Sequence, residues 1–350
     1  MSNTNIEWCK RPGTIPKVWN PVTGCNKISQ GCKNCYAERM HKRLQVMHPS
    51  KYGQDFTAGA VCHDDLLTLP LKWKKPCTVF VNSMSDLFHK DVPFSFIDKV
   101  FETMAKSPQH TFIILTKRAD RMLEFFTMLD KHGLNRVFTT NDETWPLPNL
   151  WLGVSVEDQA AADERIPFLL QCPAAVRVLS VEPMLGPVDI ITYTQEGKTD
   201  RINFLHGGKI HQVFCGGESG PDARPMHPNW ARSLQQQCAA SGVAFFFKQW
   251  GEYRPWKNGD PIEKFEHVHP RQGNLLSRVI KVGKHKAGRL LDGVEWNEFY
   301  NLNSSAMSKR KNQNKIQTEA VELYSSSNSK QRRNISKKAV KHSQTKERKK

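Results

Sequence analysis

Short apolar runs alternate with longer amphipathic stretches along most of this chain, and that alternation limits its fold more than any other feature. The runs at 18–24, 78–82, 111–116, 150–156, 177–181, 212–215 and 244–248 have strand length. Between them, 35–47, 95–106, 118–132, 158–171 and 229–241 carry apolar residues at helical spacing. Pro93 stands just before the second helix, and Gly133 and Gly242 stand where the third and fifth need a C-terminal cap. Strands that return through helices build a parallel sheet, so the expected class is α/β with repeated β-α units. Two segments interrupt the rhythm. Residues 192–211 read as an inserted hairpin or loop, and 252–290, rich in Lys, Gly and Pro, read as a closure of one end of the barrel or sheet.

Each apolar run ends in polar side chains. The second is followed by Asn82, Ser83, Ser85 and Asp86, the third by Thr116, Lys117 and Arg118, and the fourth by Ser155 and Glu157. Glu182 ends the fifth, with Pro183 holding its backbone extended. The sixth ends in Cys215 and Glu218, and the seventh in Lys248. In parallel α/β folds the carboxyl ends of the strands form the ligand-binding face. Loops are polar in general, but seven coincidences point to one large polar site.

The first run leads into WNPVTGCNKISQGCKNCYAERM, with Cys25, Cys32 and Cys35 inside eleven residues. Thiolates in this number bind soft or borderline metals. Structural zinc wants four ligands, and His41 or the Cys62-His63 pair stands ready as a fourth. An iron–sulfur cube normally takes four cysteines, so three would leave one iron open to a small molecule. Three unpaired core thiols are the remaining reading.

Nine cysteines, an odd number, argue against a disulfide framework and for a reducing, cytoplasmic setting. The stretch MSNTNIEWCKRPG has no apolar core of a secretory signal, and no long apolar run spans a membrane. The net charge is +17, of which residues 304–350 supply +11 (fourteen Lys/Arg against three Glu). That tail lacks apolar periodicity and reads as disordered, either solubilising or binding DNA or RNA phosphates.

The cysteine loop between first strand and first helix resembles the radical S-adenosylmethionine (radical SAM) superfamily. Six residues separate Cys25 from Cys32, where the commonest pattern has three. The stretches VFVNSMSDLFH, FIILTKRADRM, LWLGVSVEDQ, RVLSVEPMLGPV, CGGESGPDARPMHP and FFFKQWG are similar to a phage and prophage three-Cys-motif family. Its label is the phage gene product thirty-seven/sixty-eight family of unknown function. The likeness spans Trp19 to Leu291 and leaves out the tail.

The superfamily resemblance implies a partial (β/α) barrel, taken as one domain over 1–303 with the tail at 304–350. It implies a four-iron four-sulfur cluster on Cys25, Cys32 and Cys35 that chelates S-adenosylmethionine, and a 5′-deoxyadenosyl radical as product. Asn82, Ser83, Ser85 and Asp86 then face the methionine end, with Asp86 accepting from the ammonium group, unless they only cap a turn. Thr116, Lys117 and Arg118 face the carboxylate or a substrate phosphate, or merely start a helix. Ser155 and Glu157 meet the ribose, though Glu157 at a helix start is equally a dipole partner. Glu182 completes the cofactor set. Cys215, Glu218 and Lys248 are the candidate catalytic residues: a thiol that returns a hydrogen atom, a carboxylate in a glycine-rich turn, and a cation for phosphate or cofactor. A buried strand cysteine is the plainer reading of Cys215. Trp250, Tyr253 and Trp256, interleaved with Arg254 and Lys257, suit either base stacking or an aromatic satellite cluster.

Together these predict a radical SAM enzyme, with nucleic acid base modification or repair as the expected use. Two other classes compete. One is a non-catalytic nucleic-acid-binding protein with structural zinc. The other is a magnesium hydrolase, which needs two or more of Asp86, Glu157, Glu182 and Glu218 converging on one ion.

Overall fold

The computed structural model describes residues 3–131, 145–191, 193–194, 201–202, 210–268 and 276–301. Seven strands form one sheet in sequence order. They are β1 (Ile15–Trp19), β2 (Cys77–Val81), β3 (Thr111–Thr116), β4 (Leu150–Ser155), β5 (Val176–Val181), β6 (Gln212–Gly216) and β7 (Ala244–Gln249). Every neighbouring pair is parallel. The architecture is a seven-stranded parallel half-barrel, the partial barrel of radical SAM type that the resemblance implies.

Helices α1 (Tyr36–Met47), α2 (Phe94–Ala105), α3 (Ala119–Lys131), α4 (Gln159–Gln171) and α5 (Pro228–Ser241) follow β1, β2, β3, β4 and β6. Their ends obey local chemistry. The Asp158 carboxylate accepts from Ala161 N (3.1 Å) and so satisfies a free donor of the first turn of α4. Pro228 opens α5, and Gly242, at φ 67°, closes it in the left-handed conformation.

Strand side chains alternate between two apolar layers. Val79, Val81, Phe112, Ile114, Leu152 and Val154 pack in the layer that holds the helices. Ile113, Trp151, Val176, Val178, Phe214 and Phe246 point into the half-barrel. Register aligns Phe80 with Ile113, Ile113 with Trp151 and Trp151 with Val176, so the inner layer runs as a continuous row. Trp8, in the turn Glu7–Cys9, inserts into this inner layer. Its ring stacks on Phe214 (4.9 Å) and meets Phe80 edge-on (4.8 Å), bridging β2 and β6 across the inside. A large flat ring fills space that an open barrel would otherwise leave wet.

Strand β1 starts and ends earlier than its apolar run. Val22–Thr23 pairs antiparallel with Val61–Cys62 instead of continuing the parallel sheet. Gly24 then turns the chain at φ 82°, and a Cβ there would lie 2.2 Å from Gly59 O, so only glycine fits.

The segment after β7 forms a three-stranded antiparallel sheet of β8 (Tyr253–Pro255), β9 (Phe265–Val268) and β10 (Ser277–Lys281), with β10 in the middle. Within 192–211, Tyr193–Thr194 pairs antiparallel with Arg201–Ile202. Residues 192, 195–200 and 203–209 of that insertion, and the basic tail from residue 302 on, lie outside the described residues. No helix among the described residues is long and apolar enough to cross a membrane.

Candidate functional site

A cavity of about 670 Å³ opens at the carboxyl ends of the strands. Cys25, Cys32 and Cys35 line it, and all three thiols are free. Cys25 accepts from Arg118 Nη1 (3.5 Å). Burial, with help from Asp86, pushes the Cys25 thiol up to about 12 despite Arg118. Burial also acts on Cys32, but Lys117 and hydrogen bonds at Ile28 and Ser29 outweigh it and hold that thiol below its ordinary value.

Of the candidate fourth ligands, both histidines have a ring nitrogen engaged elsewhere, and Cys62 is a free thiol that does not line the cavity. His41 Nε2 is bonded to Gln54 O (2.8 Å), with its ring against Tyr52 and Phe56. His63 Nε2 is bonded to Thr23 Oγ1 (2.8 Å). Among the described residues no group of three or more His, Cys, Asp or Glu side chains is drawn together for a single metal ion. The three free thiols sit on one loop and line one cavity.

Two neighbouring elements clamp the cysteine loop. Glu157, after β4, accepts from Gly31 N (3.4 Å) and from Arg165 Nη1 (2.8 Å), which also donates to Ser155 O (2.7 Å). Burial pushes Glu157 up, but the Ser29 hydroxyl, Arg165 and Lys117 together bring it below the usual carboxylate value. From the loop after β6, Glu218 Oε2 accepts from Asn34 Nδ2 (3.0 Å). Arg224 grips both oxygens of Glu218 (2.8 and 2.6 Å) and donates to Gln30 O (3.0 Å). Those bonds to Arg224 and Asn34 outweigh burial and hold Glu218 low as well. Arg39 Nη2 reaches Ser219 O (2.7 Å), and a Cβ on Gly220 would fall 1.8 Å from Arg39 Nη1. The loops of β4 and β6 therefore set the shape of a loop that begins at β1.

Asn82, Ser83, Ser85, Asp86, Thr116, Lys117 and Arg118 all line the cavity, but most are already committed. Asp86 accepts from Phe88 N (3.0 Å), Thr116 Oγ1 (2.7 Å), Lys117 N (3.1 Å) and Arg118 Nη1 (2.9 Å). Its acceptor capacity is full. Asp86 is a staple between the loops of β2 and β3, not an acceptor held open for an ammonium group. Ser83 donates to Asn20 Oδ1 (3.1 Å) and Ser85 to Val22 O (2.7 Å). Asn82 is different: it stands at φ 60°, and its buried Nδ2 has no partner among the described residues.

Across the cavity, Glu182 and Lys248 form an ion pair (2.5 Å). Burial pushes Lys248 down, but Glu182, with Glu7 and Cys9, more than offsets it and raises the ammonium above its ordinary value. Ser155 and Glu218 also line the cavity, whereas Glu157 lies behind the cysteine loop.

Cys215 sits on the opposite side of its strand from the cavity. It packs in the helix-facing layer with its Sγ 3.8 Å from Met184 Sδ, while its neighbour Phe214 points inward. The period of two along a strand decides this, and it removes Cys215 from reach of the cavity. Burial accordingly drives its thiol up.

The carboxylates do not converge. Asp86 pairs with Arg118, Glu157 with Arg165, Glu182 with Lys248 and Glu218 with Arg224. A magnesium site built on them is not assembled. Of the aromatic–basic segment, Trp250 and Tyr253 are buried, Arg254 is paired with Asp260 (2.6 Å), and Arg278 lies over Trp256 and Phe265. That is the satellite-cluster arrangement.

Sequence reading passed over several lining residues: Trp8, Asn20, Phe80, Ser180 and Gln249. Ser180 lies two residues before Glu182 on a strand already recognised, so alternation from Glu182 was the available signal; Gln249, next to Lys248, is brought round by a bulge where the β6–β7 register shifts, which alternation does not show. Trp8 had none, because it precedes the first strand.

The family described as Protein of unknown function (DUF5131) matches residues 3–300. No curated protein matches the chain. Among solved structures, a single-site mutant of spore photoproduct lyase is similar at TM-score 0.36 and 10% identity, over 80% of this chain and 73% of that one. The same lyase complexed with dinucleoside spore photoproduct gives 0.34 and 12%, over 80% and 73%. A doubly substituted form with bound AdoMet and dinucleoside spore photoproduct gives 0.33 and 12%, over 79% and 71%. These likenesses are remote.

Proposed function

The chain belongs to the DUF5131 family, and from that premise we propose that it is a radical SAM enzyme in which Cys25, Cys32 and Cys35 hold a [4Fe–4S] cluster. One observation carries the reading: three free thiols of a single clamped loop face a cavity at the carboxyl ends of a parallel half-barrel. When bound, the cluster with S-adenosylmethionine would supply a 5′-deoxyadenosyl radical.

The chain's own residues hold and shield that chemistry. Arg118, fixed by Asp86 and touching Cys25, places a guanidinium beside the loop, suited to an amino-acid carboxylate. Lys117 adds a second cation at the same strand end. Glu157 and Glu218 act as positioning residues for the loop. Trp8 and Phe80 form an apolar floor that keeps water from the inner cavity. Nucleic acid bases are the proposed substrate class, with the basic tail as a phosphate anchor whose removal at Ser304 would lower DNA or RNA affinity at low salt.

The deciding measurement is iron and acid-labile sulfide after anaerobic purification, for the wild type and a Cys25→Ala/Cys32→Ala/Cys35→Ala variant. Matching iron and sulfide, lost in the variant, is expected. Zinc without sulfide would overturn the radical reading and favour a metal-stapled binding protein.

A further inference from the structure

Almost all the excess charge of the chain ahead of its tail lies in the cysteine loop and α1. Residues 27–51 hold six Lys/Arg against one Glu, a net of +5, whereas the whole of 1–303 carries +6. Lys27 is paired with Glu38 (2.9 Å), and Arg39 donates to Ser219 O (2.7 Å). Lys33, Lys42 and Arg43 are exposed, and among the described residues their side chains make no ion pair or hydrogen bond. Apolar exposure gathers on the same stretch. Of the ten large apolar side chains left exposed among the described residues, five fall here: Ile28, Tyr36, Met40, Val46 and Met47. Scattered exposure would need no explanation, but half of it gathered in twenty residues marks an interaction surface.

Packing explains how α1 keeps this surface open. Ala37 and His41 are its only buried residues, and it rests chiefly on the turns Pro49–Tyr52 and Phe56–Ala58 rather than on the sheet. At helical spacing Tyr36, Met40 and Met47 share one face, with Arg39 and Arg43 one turn apart beside it. Tyr36 and Met40 also line the cavity, so this face borders its mouth. Cations beside apolar side chains match a strand whose phosphates run beside its sugars and bases. The tail is a second basic segment, at +11, and two such segments on one chain suit a long polyanion better than a compact acidic protein.

We propose that α1 and the cysteine loop form a docking surface for a nucleic acid strand. Lys33, Lys42 and Arg43 meet its phosphates, and Tyr36, Met40 and Met47 meet its sugars and bases. As the way a substrate reaches the cavity, the surface rests on the enzymatic reading; as a binding surface, it does not.

The test is fluorescence anisotropy of the full-length chain with a labelled single-stranded DNA oligonucleotide across a salt series. Lys42→Gln/Arg43→Gln is compared with Lys72→Gln/Lys74→Gln, a pair equally exposed but placed just before β2, at the amino end of the sheet. The tail is present in every sample, so its contribution cancels. The α1 pair should make log affinity against log salt less steep by about 1.4, at about 0.7 per lost phosphate contact, and the control pair should leave it unchanged. Lys33→Gln, on the loop instead of the helix, should remove about 0.7. Met47→Ser should weaken binding about fourfold at unchanged slope, the worth of about one buried methylene. Circular dichroism melts check folding, and Lys33→Gln decides alone if the α1 pair does not fold. Equal loss from the α1 and control pairs, or no loss from Lys33→Gln and the α1 pair, would overturn the surface. So would a labelled polyglutamate that binds as tightly as the DNA and loses as much in the α1 pair, since the partner would then be an acidic protein. Iron is assayed on the same samples. Position-dependent loss in iron-free protein upholds the surface without the radical reading. Iron-loaded protein that shows no such loss sinks the surface and leaves that reading standing.

Discussion

Two ion pairs face each other across the cavity, and they differ in how many other partners they have. Asp86 takes four donors, two of them backbone amides, so its bond to Arg118 is one strut in a lattice joining β2 to β3. Among the described residues Lys248 donates to Glu182 alone, and that pair spans β5 and β7 with side-chain exposures of 16% and 18%. The first pair is saturated and the second is not. A carboxylate at a strand end is therefore not a ligand site by position alone: the number of protein donors it already serves decides whether it can serve another.

Removing Asp86 should break this comparison most visibly. Asp86→Ala leaves Arg118 without its countercharge and frees two backbone donors, so a loss of about 3–5 kcal/mol is expected in chemical denaturation. A loss under 1 kcal/mol would show that the lattice is not structural. Glu182→Gln should cost less, at most about 2 kcal/mol, since the pair is partly exposed and makes one bond. Equal costs for the two substitutions would erase the distinction.

The smallest effect is in pH dependence. Glu157 and Glu218 are held below the ordinary carboxylate value in the folded chain. A depressed folded value adds stability that is fully present above the unfolded value, about 4.3 for Glu, and is lost as pH falls through the folded one. Stability should therefore decline below about pH 4.3, and Glu157→Gln should flatten part of that decline in pH-resolved melts. An unchanged slope in the variant would remove Glu157 from the account.

Much of the fold was legible because its signals are local. Six of the seven apolar runs became neighbouring strands and the first overlaps its strand only at Val18–Trp19, while helices over 36–47, 94–105, 159–171 and 228–241 fall within a residue of the expected spans. The cysteine loop and the polar strand ends were equally plain, since both are read within a few residues. The face of each strand was harder. In Phe245-Phe246-Phe247 every position is apolar, so period-two alternation is silent, yet Phe246 points inward and its neighbours outward. Cys215 was placed at the site for the same reason, because in the apolar run before it position along the strand could be read and parity could not.

The sequence alone determined the β-α rhythm, the place of the three-cysteine loop after the first strand and the end of the sheet that bears polar groups. Tertiary structure alone decided which cation each carboxylate takes, that Trp8 fills the half-barrel, and that β4 and β6 hold a loop attached to β1. The physical reason is separation. Glu182 meets Lys248 across 66 residues, Gly31 meets Glu157 across 126 and Asn34 meets Glu218 across 184. Helix and strand periodicities act over a turn or two, whereas these contacts exist only once the sheet has curved to bring its two halves around one cavity.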